Sequence, residues 1–317
     1  MTERTRGKVL LTSKSGVNPL WAELLSEDGR EVLMEPDGSE DPSIHYAVAW
    51  KQPHGVLGRL PNLKAIFSLG AGVDHVLSDP TLPDVPIVRV VSENLGQHMA
   101  EYVTWRVLDH HRRGTYYRQR QAARDWNELT QPTSAETTVG FMGIGELGRT
   151  AARAVGALGF KLNGWSRRPA DVADMTTYAG ADGLPDFLAN TDILVVLLPL
   201  TDATRGIITY DLLRQLRRDN AIGGAVLINA GRGGLQREAD ILRALEDGSL
   251  GEASLDVFET EPLQEASPLW QHPKVFVTPH AAAPSDPRAI TMPMLKQMDA
   301  YDRGEPLRDL VDRAAGY

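Results

Sequence analysis

The sequence predicts an α/β protein built on two parallel, doubly wound sheets, and three observations carry that prediction. Short apolar runs alternate with amphipathic stretches along all 317 residues, the mark of repeated strand–helix–strand units. The runs fall into two series, one within the first hundred residues and one after residue 137, which makes two sheets. A G-x-G-x-x-G pattern follows the first strand of the second series and opens an alanine-rich helix. Length agrees, since a prior of about 150 residues per domain gives roughly two domains.

In the first series the strands are expected at 9–11, 32–34, 46–50, 65–67 and 87–91, separated by helical segments or turn clusters such as Glu35-Pro36-Asp37-Gly38. A long helix over 97–113 and a polar, turn-rich stretch over 121–136 separate the series, which puts a domain break near 100–110. The second series has strands at 138–142, 161–165, 193–198, 225–229, 253–257 and 275–278. After His280 the chain reaches Ser285-Asp286-Pro287, a capping pair followed by a proline where a first helical turn tolerates it. The helix so begun runs to about residue 301, and this tail is too short for a further domain, so it is expected to pack back on the first one.

Composition removes several function classes. Lys and Arg total 33 against 42 for Asp and Glu, a formal charge of -9, which opposes nonspecific binding to nucleic acid or anionic membrane. With no cysteine there is no disulfide, no thiolate metal site and no Cys nucleophile. The longest apolar run, 193–200, contains a proline and falls far short of the ~20 residues that span a bilayer. The first residues hold only a three-residue apolar stretch, too short for a signal peptide, so a cytoplasmic location is expected. No metal is expected: His110 and His111 are adjacent, point apart on a helix, and read as solvated near its end. Met292, Met294 and Met298 read as core or interface fillers.

The glycine pattern is Gly143-Ile144-Gly145-Glu146-Leu147-Gly148. In a Rossmann-type unit the first glycine takes the tight turn, the second lets the backbone approach a pyrophosphate, and the third allows close helix–strand packing. The pyrophosphate then lies at a helix N-terminus, where free N–H groups and the dipole favour an anion. Glu146 and Leu147 lie inside this loop, with the Glu146 side chain expected to face solvent. About 20 residues on, an NAD site would carry an acid for the ribose 2′-hydroxyl. This chain has Ser166, Arg167 and Arg168, groups that welcome a 2′-phosphate, so NADP(H) is expected in preference to NAD(H).

Three polar residues stand just beyond later strands: Arg232 after Asn229-Ala230-Gly231, Glu261 after Leu255-Asp256-Val257-Phe258, and His280 after Thr278-Pro279. Ligands of open α/β sheets bind at the carboxyl ends of strands, and an Arg, a Glu and a His there suit an anion anchor, an orienting carboxylate and a general acid. In order and context these motifs resemble the D-isomer-specific 2-hydroxyacid dehydrogenase family. The resemblance extends to Ser68-Leu69-Gly70-Ala71-Gly72-Val73-Asp74, Ser267-Pro268-Leu269-Trp270-Gln271-His272-Pro273 and Val311-Asp312-Arg313-Ala314, so it is effectively full-length. It is nearest the branch that reduces glyoxylate and hydroxypyruvate.

The resemblance implies a discontinuous, flavodoxin-like substrate domain (1–103 with 282–317) and an NADP-binding Rossmann domain (104–281). It implies hydride transfer to a 2-keto acid, with protonated His280 as proton donor, Glu261 orienting the ring and favouring its charged form, and Arg232 binding the carboxylate and polarising the carbonyl. Leu198, Pro199, Ala230 and Asp256 fall on the cofactor side. Ala71 and Gly72 offer backbone N–H groups to the substrate carboxylate, and Trp50 matches an aromatic near the substrate. Lys51 and Gln52 depart from the His-Pro common there in the closest relatives. The family also implies a homodimer through the nucleotide domain, with 102–126 as the arm. Rivals of the same class are a formate- or phosphite-type dehydrogenase and a related dehydrogenase with a different 2-keto acid substrate. Formate enzymes carry Gln where this chain has Glu261, which disfavours that option, and a regulated phosphoglycerate dehydrogenase is disfavoured because no domain fits after Tyr301. An NADP(H)-sensing corepressor-like scaffold is the reading from a different class, and the full Arg232, Glu261 and His280 set speaks against it.

Overall fold

The computed structural model describes residues 6–14, 18–34 and 40–317, so the turn cluster Glu35-Pro36-Asp37-Gly38 lies outside the described residues. The chain divides into two compact units, Met1–Asn94 with Ser285–Tyr317, and Leu95–Pro284. The first begins β1 (Lys8–Ser13), α1 (Pro19–Leu25), β2 (Val32–Met34), β3 (Ile44–Trp50), β4 (Ala65–Ser68), α2 (Asp74–Leu77) and β5 (Ile87–Val88). Then come α3 (Glu93–His111), α4 (Gly114–Ala123), β6 (Thr138–Met142), α5 (Glu146–Gly156), β7 (Lys161–Ser166), β8 (Thr176–Ala179) and α6 (Gly180–Ala189). The chain continues through β9 (Ile193–Val196), α7 (Tyr210–Leu213), β10 (Val226–Asn229), α8 (Glu238–Glu246), β11 (Glu252–Leu255), β12 (Val275–Val277) and α9 (Pro287–Asp302).

The first sheet runs β2-β1-β3-β4-β5 with every pairing parallel, the flavodoxin order. Its central strands are covered on both faces, which explains why Tyr46-Ala47-Val48-Ala49 and Ala65-Ile66-Phe67 read as unbroken apolar runs and are buried. The tail belongs to this unit. Asp286 caps α9 by accepting from the N–H groups of Arg288 and Ala289, Pro287 fills the first helical position, and α9 packs on α1. The buried Arg30 guanidinium fixes α9 by bonding Asp299 at 2.7 Å and Asp302 at 3.2 Å, and Tyr46 donates to Asp302 at 2.8 Å. Strand β5 stops at Val88, short of the expected 91, because the Arg89 N–H turns to Asp309 and that of Val90 to Gly70.

The second sheet runs β12-β11-β10-β9-β6-β7-β8, again all parallel. The order reverses between β6 and β9, a topological switch point, where such sheets open a ligand crevice beyond their carboxyl ends. Alternate residues supply two cores. Phe141, Val195 and Ile228 pack toward Val103, Val107 and Val155, while Leu194, Val196 and Leu227 pack toward Phe187, Leu213 and Leu245. Edge strand β8 has no counterpart among the sequence expectations: Thr-Thr-Tyr-Ala contains no apolar run and is only half-buried. His110 and His111 correct another expectation, since both are 4% exposed. His110 bonds Glu252 at 2.5 Å and Ser254 at 2.7 Å, and His111 stacks edge-on against Phe160. Helix α3 is walled in at its carboxyl end, so its imidazoles find partners in place of water. Met294 and Met298 are buried in α9.

Candidate active site

The crevice begins with the glycine loop between β6 and α5. Gly143 has φ +106°, and a Cβ there would lie 2.8 Å from the Leu197 carbonyl, so only glycine makes this turn without strain. A Cβ on Gly148 would lie 2.0 Å from the Gly143 carbonyl oxygen, which is the close helix–strand approach. Gly145 differs. It is exposed, caps α5, and a Cβ on it would meet nothing within 4 Å. The first N–H groups of α5 lack helical partners and point into this open space, so backbone and dipole together suit a pyrophosphate. Glu146 is exposed and Leu147 half-buried beside it.

Strand β7 pairs with β6, so its end adjoins the glycine loop. There Ser166 Oγ donates to the Arg168 carbonyl at 2.7 Å, curling the strand end and leaving Arg167 and Arg168 exposed. Across the switch point, Leu198 is buried and Pro199 half-buried just past β9, and the Pro199 carbonyl accepts from the Thr204 hydroxyl at 2.7 Å. Ala230 is buried just past β10.

Arg232 stands on a tightly determined turn. The buried Asn229 side chain accepts from the Gly231 N–H at 3.1 Å and donates to the Arg232 carbonyl at 3.3 Å and to Gln236 at 2.8 Å. Gln236 donates in turn to the Val257 carbonyl at 2.9 Å, and a Cβ on Gly233 would strike the Phe258 backbone at 1.7 Å. Arg232 is half-buried, with Nη1 on the Gly231 carbonyl at 2.8 Å.

Beyond the neighbouring strands β11 and β12, His280 Nδ1 and Glu261 Oε2 lie 2.9 Å apart. An ionised carboxylate only accepts, so Nδ1 carries the shared hydrogen and Nε2 is the nitrogen turned to chemistry. The other Glu261 oxygen accepts from the Phe258 N–H at 3.3 Å. His280 has φ +52°, a backbone state that costs about 1–3 kcal/mol in a side-chain-bearing residue and persists only when its surroundings impose it. They do. The His280 N–H donates to the Asp256 carbonyl at 2.8 Å and to that of Thr278 at 3.1 Å. The Asp256 carboxylate, 1% exposed, accepts from the Thr278 hydroxyl at 2.6 Å and the N–H groups of Ala281 at 2.8 Å and Ala282 at 3.0 Å. Both Asp256 oxygens, which the sequence suggested for the cofactor side, thus hold the His280 loop.

Within the first unit, the loop after β4 is shaped by Ser68. Its Oγ accepts from the Gly70 N–H at 3.2 Å and donates to the Gly72 carbonyl at 3.3 Å, with Ala71 and Gly72 half-buried at the crest. Trp50 lies against Gly70, where a Cβ would come within 2.4 Å of its ring, and stacks on His75 at 4.7 Å. The Lys51 ammonium lies 5.9 Å from the Trp50 ring centre. Trp50, Ala71 and Gly72 therefore share one corner of this unit. Sequence reasoning missed Asn229 and Gln236, which hold the Arg232 turn, and Tyr102, which donates toward the His280 loop. Asn229 stood inside a quoted motif without a role of its own, whereas Tyr102 carried no signal beyond its place in a helix.

Among known proteins, residues 104–282 match the family described as D-isomer specific 2-hydroxyacid dehydrogenase, NAD binding domain. The chain is 38% identical to glyoxylate/hydroxypyruvate reductase A of Serratia proteamaculans, over 88% of this chain and 89% of that one. A crystal structure of an NADPH-dependent glyoxylate/hydroxypyruvate reductase from Sinorhizobium meliloti in complex with NADP and sulfate is 46% identical. It matches 98% of this chain and 100% of its own, with a TM-score of 0.92. A D-isomer specific 2-hydroxyacid dehydrogenase from Xanthobacter autotrophicus, in complex with NADPH and MES, is 38% identical with the same coverage and TM-score.

Proposed function

Because the chain belongs to the D-isomer-specific 2-hydroxyacid dehydrogenase family, we propose that it is an NADPH-dependent reductase of small 2-keto acids, converting glyoxylate to glycolate and hydroxypyruvate to D-glycerate. The observation that carries the reading is the His280–Glu261 pair, 2.9 Å apart, beyond β11 and β12, the two strands next in order after β10, which delivers Arg232. NADPH, when bound, supplies the hydride that reduces the carbonyl carbon. Arg232 binds the substrate carboxylate and draws electron density toward the carbonyl oxygen, an effect that grows as that oxygen becomes an alkoxide. His280 gives its Nε2 proton to that oxygen, and Glu261, 2.9 Å from Nδ1, keeps the ring aimed. The neutral ring, a third exposed at its side chain, regains a proton from water. The balance is one 2-keto acid, one NADPH and one proton giving one 2-hydroxy acid and NADP+.

The remaining assignments follow the same reading. Gly143, Gly145, Glu146, Leu147 and Gly148 surround the pyrophosphate, Ser166, Arg167 and Arg168 meet the 2′-phosphate, and Leu198, Pro199 and Ala230 line the cofactor crevice. The N–H groups of Ala71 and Gly72 hold the carboxylate, with Trp50 beside it. The first unit is the substrate domain and the second the nucleotide domain, with its 102–126 arm forming a homodimer. Two features support that arm: α4 buries no residue, and Trp126 is fully exposed. As an NADPH-consuming reductase, the protein works in the cytoplasm, where that reductant is regenerated. A panel of 2-keto acids assayed with each reduced nicotinamide tests the proposal: glyoxylate and hydroxypyruvate should oxidise NADPH, and the absence of turnover on every 2-keto acid would refute it.

A further inference from the structure

Helix α3 presents Tyr102, Arg106 and His110 at four-residue intervals, about 6 Å per step, along strand β11, where Glu252 and Ser254, and Asp256 just past the strand end, follow at alternate positions that repeat every ~6.6 Å in extended chain. The two spacings match, and each of the three helix residues makes a side-chain hydrogen bond. His110 takes Glu252 and Ser254, Arg106 Nε donates to Ser254 at 2.9 Å, and its guanidinium lies 3.8 Å over the Phe276 ring. At the catalytic end, Tyr102 Oη and Thr278 Oγ1 lie 2.8 Å apart. Thr278 spends its one hydroxyl hydrogen on Asp256 at 2.6 Å, so Tyr102 is the donor in this pair. Burial pushes the Tyr102 phenol up to about 12, which keeps that hydrogen in place at neutral pH.

We propose that Tyr102 and Thr278 are positioning residues: acting through the buried Asp256 carboxylate, they hold the 278–282 loop so that His280 keeps its left-handed backbone and its ring stays aligned with Glu261. Neither touches the reacting atoms. Arg106 and His110 fix the helix register that brings Tyr102 to Thr278. The proposal rests on His280 being the proton donor.

The test is a double-mutant cycle, read in kcat with glyoxylate after wild-type turnover and its loss in His280→Asn have been established; failure at that first step refutes the proton-donor reading itself. Thr278→Val should lower kcat about tenfold, as expected for losing one hydrogen bond to a carboxylate, with the KM for NADPH unchanged and Thr278→Ser restoring most of the rate. Tyr102→Phe should lower kcat about threefold, yet cost almost nothing further in the Thr278→Val background, because Tyr102 acts only through that hydroxyl. Should Thr278→Val fail to fold, Tyr102→Phe, which removes a single oxygen, and Thr278→Ser decide the matter. Wild-type kcat in Thr278→Val or in Tyr102→Phe, or additive losses in the double variant, would overturn the proposal.

Discussion

Two glycines three residues apart should fail in opposite ways when each gains a single methyl group. At Gly148 the new Cβ would lie 2.0 Å from the Gly143 carbonyl oxygen, against an optimal separation of roughly 3.5 Å. The oxygen belongs to the backbone at the φ +106° turn, so relief requires moving α5 off the sheet by more than an ångström. Overpacking of this kind costs about 1–3 kcal/mol, and at ~2–4 °C per kcal/mol for a domain of this size Gly148→Ala should lower Tm by roughly 3–10 °C. At Gly145 the Cβ would meet no protein atom within 4 Å, and φ is −75°, open to any residue. Losing a glycine cap costs some stability, while the stiffer unfolded chain restores a few tenths to about 1 kcal/mol. Gly145→Ala should therefore leave Tm within a few degrees of wild type and weaken NADPH binding by tenfold or more, because its methyl occupies the path of the pyrophosphate. Thermal melts without nucleotide, paired with fluorescence titration of NADPH, separate the two effects. Equal Tm losses, or wild-type NADPH affinity in Gly145→Ala, would refute the division of roles.

Three further outcomes follow from the geometry. Arg167→Ala with Arg168→Ala should raise the KM for NADPH by about 10- to 100-fold per arginine that grips the 2′-phosphate and leave that for NADH nearly unchanged; parallel kinetics with both cofactors check this. Arg232→Ala should raise the KM for glyoxylate and lower kcat together, since its charge acts in ground and transition state alike, and a change confined to KM would reduce it to a binding residue. Burial opposes ionisation of Asp302, but bonds from Tyr46 and Lys64 and the charges of Lys64 and Arg30 hold its carboxyl below the ordinary 3.8. Its stabilising contribution is therefore present above pH ~4 and lost as pH falls through the lowered folded value. Asp302→Asn should lower Tm at neutral pH and flatten its decline below about pH 4; an unchanged acid limb counts against this.

Both sheets were legible in the sequence because buried parallel strands must be apolar on both faces, as β3, β4, β9 and β10 are. Edge strand β8 was not, since a half-exposed Thr-Thr-Tyr-Ala owes its strand to one neighbour and not to burial. The glycine loop was legible because Gly143 and Gly148 meet backbone constraints that only glycine satisfies. The His110–His111 pair was misplaced for a plain reason: a polar residue near a helix end signals solvent in sequence, whereas here buried partners distant in the chain take up its hydrogen bonds. Glu252 lies 142 residues from His110, and Thr278 lies 176 from Tyr102, separations that no local pattern encodes.

In the proposed reaction His280 supplies the proton to a 2-keto acid carbonyl while NADPH supplies the hydride. The most direct measurement is kcat for NADPH oxidation by glyoxylate in wild type and His280→Asn, with NADPH affinity determined on both. The expected result is a loss of about 10²- to 10⁴-fold in kcat with nucleotide binding intact. Near-normal turnover in His280→Asn would contradict it.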